Sequence, residues 1–264
     1  MKIKTIVSFI IVAYNHSEEL ILNLISNILS MQPYCPLFEF EIILINNGDL
    51  TYDITPCKTF NDIIHVKTNT NLGYCGGNNY GMHLANGKAI IICNPDIIFK
   101  ESLCIDWLVS YSLFKNAIVG SYRDGITWLT YPAMFPTDRI YEPDELPFVY
   151  FENPITKYPE QQWKSMPFVD GSLMCFPRHL YTSVTSFDDD IFPGYFGENT
   201  FQFKAYLSGY KTINVPISNL YSHNTNSDTQ YTIDQKIKWT KDARALFYQK
   251  YASPHYKEFL NYLV

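Results

Sequence analysis

The sequence predicts an α/β fold with a mainly parallel central sheet flanked by helices on both faces. Three observations lead there. Strand-sized apolar runs alternate with helix-length segments through the first 120 residues. Those runs are continuously apolar rather than alternating, as in strands buried on both faces. The chain has 264 residues, 47% of them hydrophobic and 17% charged, which is enough to enclose a large core.

The elements follow in order. Residues 4–13 read as a first strand. Ser17 is placed as an N-cap, with Glu18 and Glu19 in the first turn and Leu20, Leu24, Ile25 and Ile28 on one helical face. "FEFEIILIN" (38–46) is a second strand and "DIIHVKT" (62–68) a third. "GGNNYGMHLAN" (76–86) predicts a short helix entered through glycines, "KAIIICN" (88–94) a fourth strand, and "ESLCIDWLVSYSLF" (101–114) a helix. "AIVGSY" (117–122) is a fifth strand. Periodicity then lapses over 123–167, where seven prolines stand among Trp128, Tyr131, Phe135, Tyr141, Phe148, Tyr150, Tyr158 and Trp163. A stretch of that length predicts a functional excursion. "FVDGSLMCF" (168–176) restores a strand. "ENTFQFKAYLSGY" (198–210) reads as a helix closed by Gly209, "KTINVP" (211–216) as a strand, and 233–251 as a last helix running out at Pro254.

Composition excludes some functions. A net charge of −6 lacks the basic excess of a nucleic-acid binder. Cysteines 35, 57, 75, 93, 104 and 175 form no Cys-x-x-Cys pair and adjoin no His cluster. Buried free thiols in a reducing cytoplasm are expected, rather than a zinc site. "MKIKTIVSFIIVAYN" has no small-residue cleavage site after its apolar run, so it reads as a strand and not a signal peptide. No stretch approaches the roughly 20 apolar residues that span a bilayer, so a soluble or peripheral protein is expected.

Three polar clusters fall at predicted strand ends: Ala13-Tyr14-Asn15, Asn46-Asn47-Gly48-Asp49 and Asn94-Pro95-Asp96. In a parallel sheet these ends share one edge, so the clusters should meet in one crevice. Between them, "NLGYCGGNNYG" (71–81) is neither a dinucleotide fingerprint nor a P-loop. A glycine-rich entry to a helix suits either a tight turn or a backbone approach to phosphate.

"VSFIIVAYNHSEEL", "EIILINNGD", "NLGYCGGNNYG", "NPDIIF", "VDGSLMCFPRHLY", "FDDDIFPGYFGEN", "LSGYKTINVP" and "YSH" occur in this order. Together, over residues 4–225, they resemble family 2 glycosyltransferases of the GT-A (nucleotide-diphospho-sugar transferase) fold. The likeness is greatest to the bacterial rhamnosyltransferase-like branch that builds O-antigen and capsule. The resemblance implies a transferase domain at 1–225, with a nucleotide-binding half (1–122), an acceptor-side half (123–225) and a helical tail (226–264). Asn94-Pro95-Asp96 stands for the family's Asp-x-Asp, so Asp96 would hold Mg²⁺ or Mn²⁺, and hard cations do favour carboxylate oxygen. His223 of "YSH" would reach the metal or the diphosphate. Ala13, Tyr14, Asn15 and Asn46 would line the nucleoside pocket, Asn46 standing where the family usually has Asp. Asn94 would reach the ribose, and Asn71, Gly73 and Asn79 match a loop near the nucleotide.

In "YFGEN" the family's Glu-Asp becomes Glu198-Asn199. An amide cannot accept the proton of an acceptor hydroxyl, so either Glu198 serves as the base, or another acid such as Asp170 does, or the enzyme is impaired. A helix N-terminus is expected to lower the pKa of such a carboxyl. Asp188-Asp189-Asp190 match a family turn and read as capping and solvation rather than metal ligands. Residues 123–167, with Gly171 and Ser172, would form the acceptor side. The implied activity is inverting, metal-dependent sugar transfer from a dTDP- or UDP-sugar, dTDP-rhamnose foremost, to a polyprenyl-diphosphate-linked glycan. A UDP-hexose or N-acetylhexosamine transferase, or a non-catalytic nucleotide- or glycan-binding module, are the alternatives. The tail mixes Lys236, Lys238, Lys241, Arg244 and Lys250 with Ile237, Trp239, Leu246, Phe247 and Tyr251. That mixture suits either an anionic membrane surface, at the inner face of the cytoplasmic membrane, or an amphipathic helix packed on the domain.

Overall fold

The computed structural model describes residues 4–57, 63–120, 164–165, 169–184, 186–190, 196–215, 217, 219–223, 232–255 and 257–258. Its central sheet takes the order β3-β2-β1-β4-β8-β6-β9-β7. These strands are β1 (Thr5–Ala13), β2 (Phe38–Asn46), β3 (Ile63–Lys67), β4 (Ala89–Cys93), β6 (Ala117–Gly120), β7 (Lys164–Ser165), β8 (Leu173–Pro177) and β9 (Lys211–Asn214). β1, β2, β3 and β4 pair in parallel, and so do β6 and β9. β8 runs antiparallel to both of its neighbours, β4 and β6, and β7 runs antiparallel to β9. The expected parallel character therefore holds for most of the sheet, with β8 as a reversed strand in its middle.

Helices α1 (Glu18–Met31) and α3 (Leu103–Lys115) cover one face. There Val7, Phe9, Ile11 and Ala13 of β1 pack with Ile21, Leu24 and Ile28 of α1 and Ile105 and Leu108 of α3. The other face carries α2 (Gly73–Leu84), α4 (Arg178–Val184), α5 (Gly197–Leu207) and α6 (Ile233–Phe247). Ile10, Ile43, Ile90 and Met174 pack there with Met82, Leu180, Phe201 and Phe247. Successive strand residues thus enter opposite cores, which is why the runs read as continuously apolar. Ser17 caps α1 as expected, its hydroxyl accepting Leu20 N–H at 3.3 Å.

α2 begins at Gly73, three residues earlier than the sequence suggested, and Gly73 lies in the left-handed region at φ 68°. Its internal glycines serve close packing. A Cβ on Gly77 would stand 2.6 Å from Val12 Cγ1, so the helix can lie on β1 only without one.

Several expectations need correction. Residues 169–172 are not strand; they form a turn, in which Asp170 Oδ1 accepts Ser172 N–H at 2.8 Å, and β8 begins only at Leu173. α4 follows β8 directly and was not foreseen. A second, two-stranded sheet was also missed: β5 (Ile97–Phe99) pairs antiparallel with β10 (Tyr221–His223). Asn27 of α1 fixes it, donating to Phe99 O at 2.9 Å and accepting Phe99 N–H at 2.7 Å. β9 ends at Asn214, and the last helix ends at Phe247 before a π-helical turn over Tyr248–Ala252. The expected excursion at 123–167 lies outside the described residues except for β7. Among the described residues no helix is long and apolar enough to cross a membrane. All six cysteines are buried free thiols.

Candidate active site

The C-terminal ends of β1, β2 and β4 lie side by side, and the three polar clusters meet there. Asn47 N–H donates to Ala13 O at 2.7 Å, and Asp49 N–H donates to Asn15 Oδ1 at 2.9 Å. Asn15 itself sits at φ 55°, a conformation that Asn tolerates better than most residues. Asn46 is fully buried and braces its own turn, donating to Leu50 O at 2.6 Å and accepting Gly48 N–H at 3.3 Å. Its neighbour Asn47, to which the sequence reading gave no role, is the hub of the corner. Its Oδ1 accepts Leu72 N–H at 2.8 Å and the Thr68 hydroxyl at 3.1 Å. Its Nδ2 donates to Asn71 Oδ1 at 2.9 Å and Gly73 O at 3.0 Å. Asn71 Oδ1 also accepts Gly73 N–H at 2.9 Å, which fixes the entry to α2. Asn79 likewise makes scaffold contacts, donating to Phe187 O at 2.9 Å and accepting Phe187 N–H at 2.8 Å.

The turn after β4 carries the second group. Asn94 N–H donates to Ser172 O at 2.8 Å, tying this turn to the one that holds Asp170. Asp96 is 1% exposed, and among the described residues its Oδ2 receives no hydrogen bond. His223 Nε2 stands 3.0 Å from Asp96 Oδ1, placed there because β10 sets His223 opposite Ile97. Among the described residues His223 Nδ1 is buried without a hydrogen-bond partner. His16, which the sequence reading did not select, also faces this corner. Burial lowers its pKa, while the charge of Asp96 pulls it upward. His16 Nδ1 accepts Tyr14 N–H at 3.1 Å, and among the described residues its buried Nε2 has no partner.

A buried carboxylate without donors is costly unless a cation completes it. The carboxylate suits Mg²⁺ or Mn²⁺, and an imidazole beside it favours the less hard Mn²⁺ of the two. Among the described residues no group of three or more His, Cys, Asp or Glu side chains comes together as a metal cage. Two protein ligands suit an ion that completes its shell with water and phosphate oxygen.

The third group stands at the start of α5. Phe196 precedes the helix at φ 63°, a strained conformation for an aromatic residue. Two residues on, Glu198 lies against Gly171, where an added Cβ would be 2.9 Å from both Glu198 Cγ and Tyr74 Oη. The Tyr74 hydroxyl donates to Gly171 O at 2.6 Å. Burial pushes the Glu198 carboxyl up to about 7; a backbone hydrogen bond opposes the rise and the charge of Asp170 adds to it. The expectation that the helix start would lower this pKa is therefore reversed, because desolvation outweighs the helix terminus. Tyr74 is pushed upward too, by burial first and then by Glu198, Cys75 and Asp170. In the neighbouring acidic run, Asp188 is held by Lys204 at 2.9 Å, by Lys250 at 3.7 Å and by the Tyr251 hydroxyl.

A sheet with helices on both faces whose strand ends gather these groups is the GT-A fold of the glycosyltransferases. The chain belongs to glycosyl transferase family 2, whose model matches residues 8–178. Among solved structures it resembles a mannosyltransferase from Pyrobaculum calidifontis, PcManGT, in complex with GDP-Man and Mn²⁺. That match has 17% identity and a TM-score of 0.55, over 82% of this chain and 56% of the other. It also resembles GalNAc-T7 with UDP, GalNAc and Mn²⁺, at 13% identity and a TM-score of 0.57, over 82% and 43% of the two chains. S. aureus TarS 1–349 matches at 13% identity and a TM-score of 0.57, over 96% and 74%. The chain thus spans about half the length of the first two. Among curated proteins no sequence matches it significantly.

Proposed function

We propose that this chain is an inverting, metal-dependent glycosyltransferase that moves a sugar from a nucleoside-diphosphate donor to a hydroxyl acceptor. The observation that carries the reading is Asp96, a fully buried carboxylate with the His223 imidazole 3.0 Å from its Oδ1 and, among the described residues, no hydrogen-bond donor on its Oδ2. Asp96 and His223 would hold Mg²⁺ or Mn²⁺, which when bound offsets the charge of a diphosphate leaving group. The loops after β1 and β2, around Ala13, Tyr14, Asn15 and Asn46, would line the nucleoside side. Asn94 would face the ribose, while Asn71, Gly73 and Asn79 hold the adjoining loop. Glu198 would accept the acceptor's proton as its oxygen attacks the anomeric carbon from the face opposite the diphosphate. A carboxyl near 7 is matched to that task at neutral pH. Asp170, beside it, is the second candidate base.

Residues 1–122 would then serve the donor and 123–225 the acceptor. The rhamnosyltransferase-like motifs favour L-rhamnose from dTDP-rhamnose, added to a lipid-linked surface glycan such as O-antigen or capsule. Exposed Trp239, Leu246, Lys238 and Lys250 on the tail suit contact with the membrane that bears such an acceptor. On the same helix Phe247 is buried against Phe203 and Phe196.

The test is thermal shift with dTDP-, UDP- and GDP-sugars, with and without Mn²⁺, followed by donor turnover. Stabilisation by dTDP-rhamnose that requires Mn²⁺, with slow hydrolysis, is expected. A preference for UDP- or GDP-sugars would move the donor assignment. Nucleotide binding with no turnover of any donor would mark a non-catalytic module.

A further inference from the structure

Gln202 lies one helical turn beyond Glu198 on α5 and is fully buried in an apolar core. Its Oε1 accepts Val169 N–H at 2.8 Å and its Nε2 donates to Val169 O at 3.0 Å. Val169 is 3% exposed and precedes β8, so this amide does for its backbone what a neighbouring strand would do. Two residues on, Gly171 presses on Glu198 and is anchored from the other side by the Tyr74 hydroxyl. Asp170 Oδ1 closes the same turn on Ser172 N–H. The turn is thus gripped at Val169 by α5, at Gly171 by α2 and internally by Asp170. A leucine would fill the Gln202 site at less desolvation cost; an amide there serves the backbone it holds.

We propose that Gln202 is a positioning residue for Glu198: by clamping Val169 it holds the Asp170–Ser172 turn against the Glu198 side chain, excludes water from it and fixes its carboxyl toward the acceptor hydroxyl. The inference rests on the reading of Glu198 as the base. The ionisable groups facing Glu198 are Asp170 in the turn and Tyr74 and Cys75 on α2. Loosening the turn hydrates the carboxyl and lets it ionise at lower pH.

The experiment compares Gln202→Leu, Tyr74→Phe and Glu198→Gln with the unaltered chain, by amide hydrogen exchange over 169–172 and by the pH dependence of kcat and donor KM. Gln202→Leu is expected to speed exchange at Val169 and Ser172 and to lower kcat about 10- to 100-fold with donor KM unchanged. It should also move the acid limb of kcat from about 7 to lower pH. Tyr74→Phe, which removes the other anchor of the turn, should shift the limb the same way and decides the matter if Gln202→Leu does not fold. An unmoved acid limb, or kcat and KM changing only together with the melting temperature, overturns the proposal. Wild-type turnover in Glu198→Gln instead overturns the base assignment, whereas a dead Glu198→Gln beside a fully active Gln202→Leu overturns the clamp alone.

Discussion

Asp96 is fully buried and Glu198 half-buried at the same end of the sheet, and their surroundings differ. Asp96 sits in a turn after β4 with an imidazole nitrogen 3.0 Å from Oδ1 and, among the described residues, no hydrogen-bond donor on Oδ2. Glu198 sits at a helix start among Gly171, Tyr74 and Asp170, where burial first and then the charge of Asp170 raise its pKa. The first sets an imidazole beside a buried carboxylate, the pair proposed to take a cation. The second raises its acid through burial and the charge of Asp170, so a proton stays within reach near pH 7. Two carboxyls acquire two roles from their neighbours rather than from their own chemistry.

Breaking the Glu198 side of that contrast should have the largest effect on rate. Glu198→Gln should lower kcat by about 10²- to 10⁴-fold while a nucleotide titration gives unchanged donor affinity. The His223 side should show a smaller loss. His223→Ala should weaken Mn²⁺ binding about 10- to 100-fold, read by calorimetry in the presence of nucleoside diphosphate.

A third outcome sharpens the contrast through stability. The folded chain holds the Glu198 proton more tightly than the unfolded chain, about 7 against 4.5. Stability from this group is therefore complete below about 4.5 and is lost as pH rises through 7, because ionisation there is penalised only in the folded state. Glu198→Gln removes that penalty, so urea unfolding should find it more stable than wild type by about 1–3 kcal/mol at pH 8, the gap closing toward pH 5. The raised carboxyl would then be a stability cost carried for function. The scaffold under the donor corner gives a fourth prediction. Gly77→Ala should cost about 1–3 kcal/mol, measured by the same unfolding curves, because Val12 and α2 must separate.

Much of the corner at the ends of β1, β2 and β4 was legible in the sequence. The all-apolar runs of β1, β2 and β4 announce strands buried on two faces, and polar residues directly after such strands must gather at one edge. The Asp96–His223 pairing was suggested by motif order alone; its geometry comes from β5 and β10, strands of three residues each that are too short to show a period. The other side is held by side-chain amides acting across long sequence separations, Gln202 on Val169 over 33 residues and Asn79 on Phe187 over 108. Local pattern carries no trace of such brackets. Asn47 was visible as a strand-end amide, but Asn46 beside it matched the motif and drew the assignment. The pKa of Glu198 was misjudged in sign because the helix terminus is readable from sequence and desolvation is not.

The central claim is that Asp96 holds a divalent ion for the donor's diphosphate. It is tested most directly by titrating Mn²⁺ with UDP, dTDP or GDP into the wild-type chain and into Asp96→Asn. The account predicts nucleotide binding that strengthens with Mn²⁺ in the wild type and loses all dependence on Mn²⁺ in a folded Asp96→Asn. Equal Mn²⁺ dependence in the two proteins would contradict it.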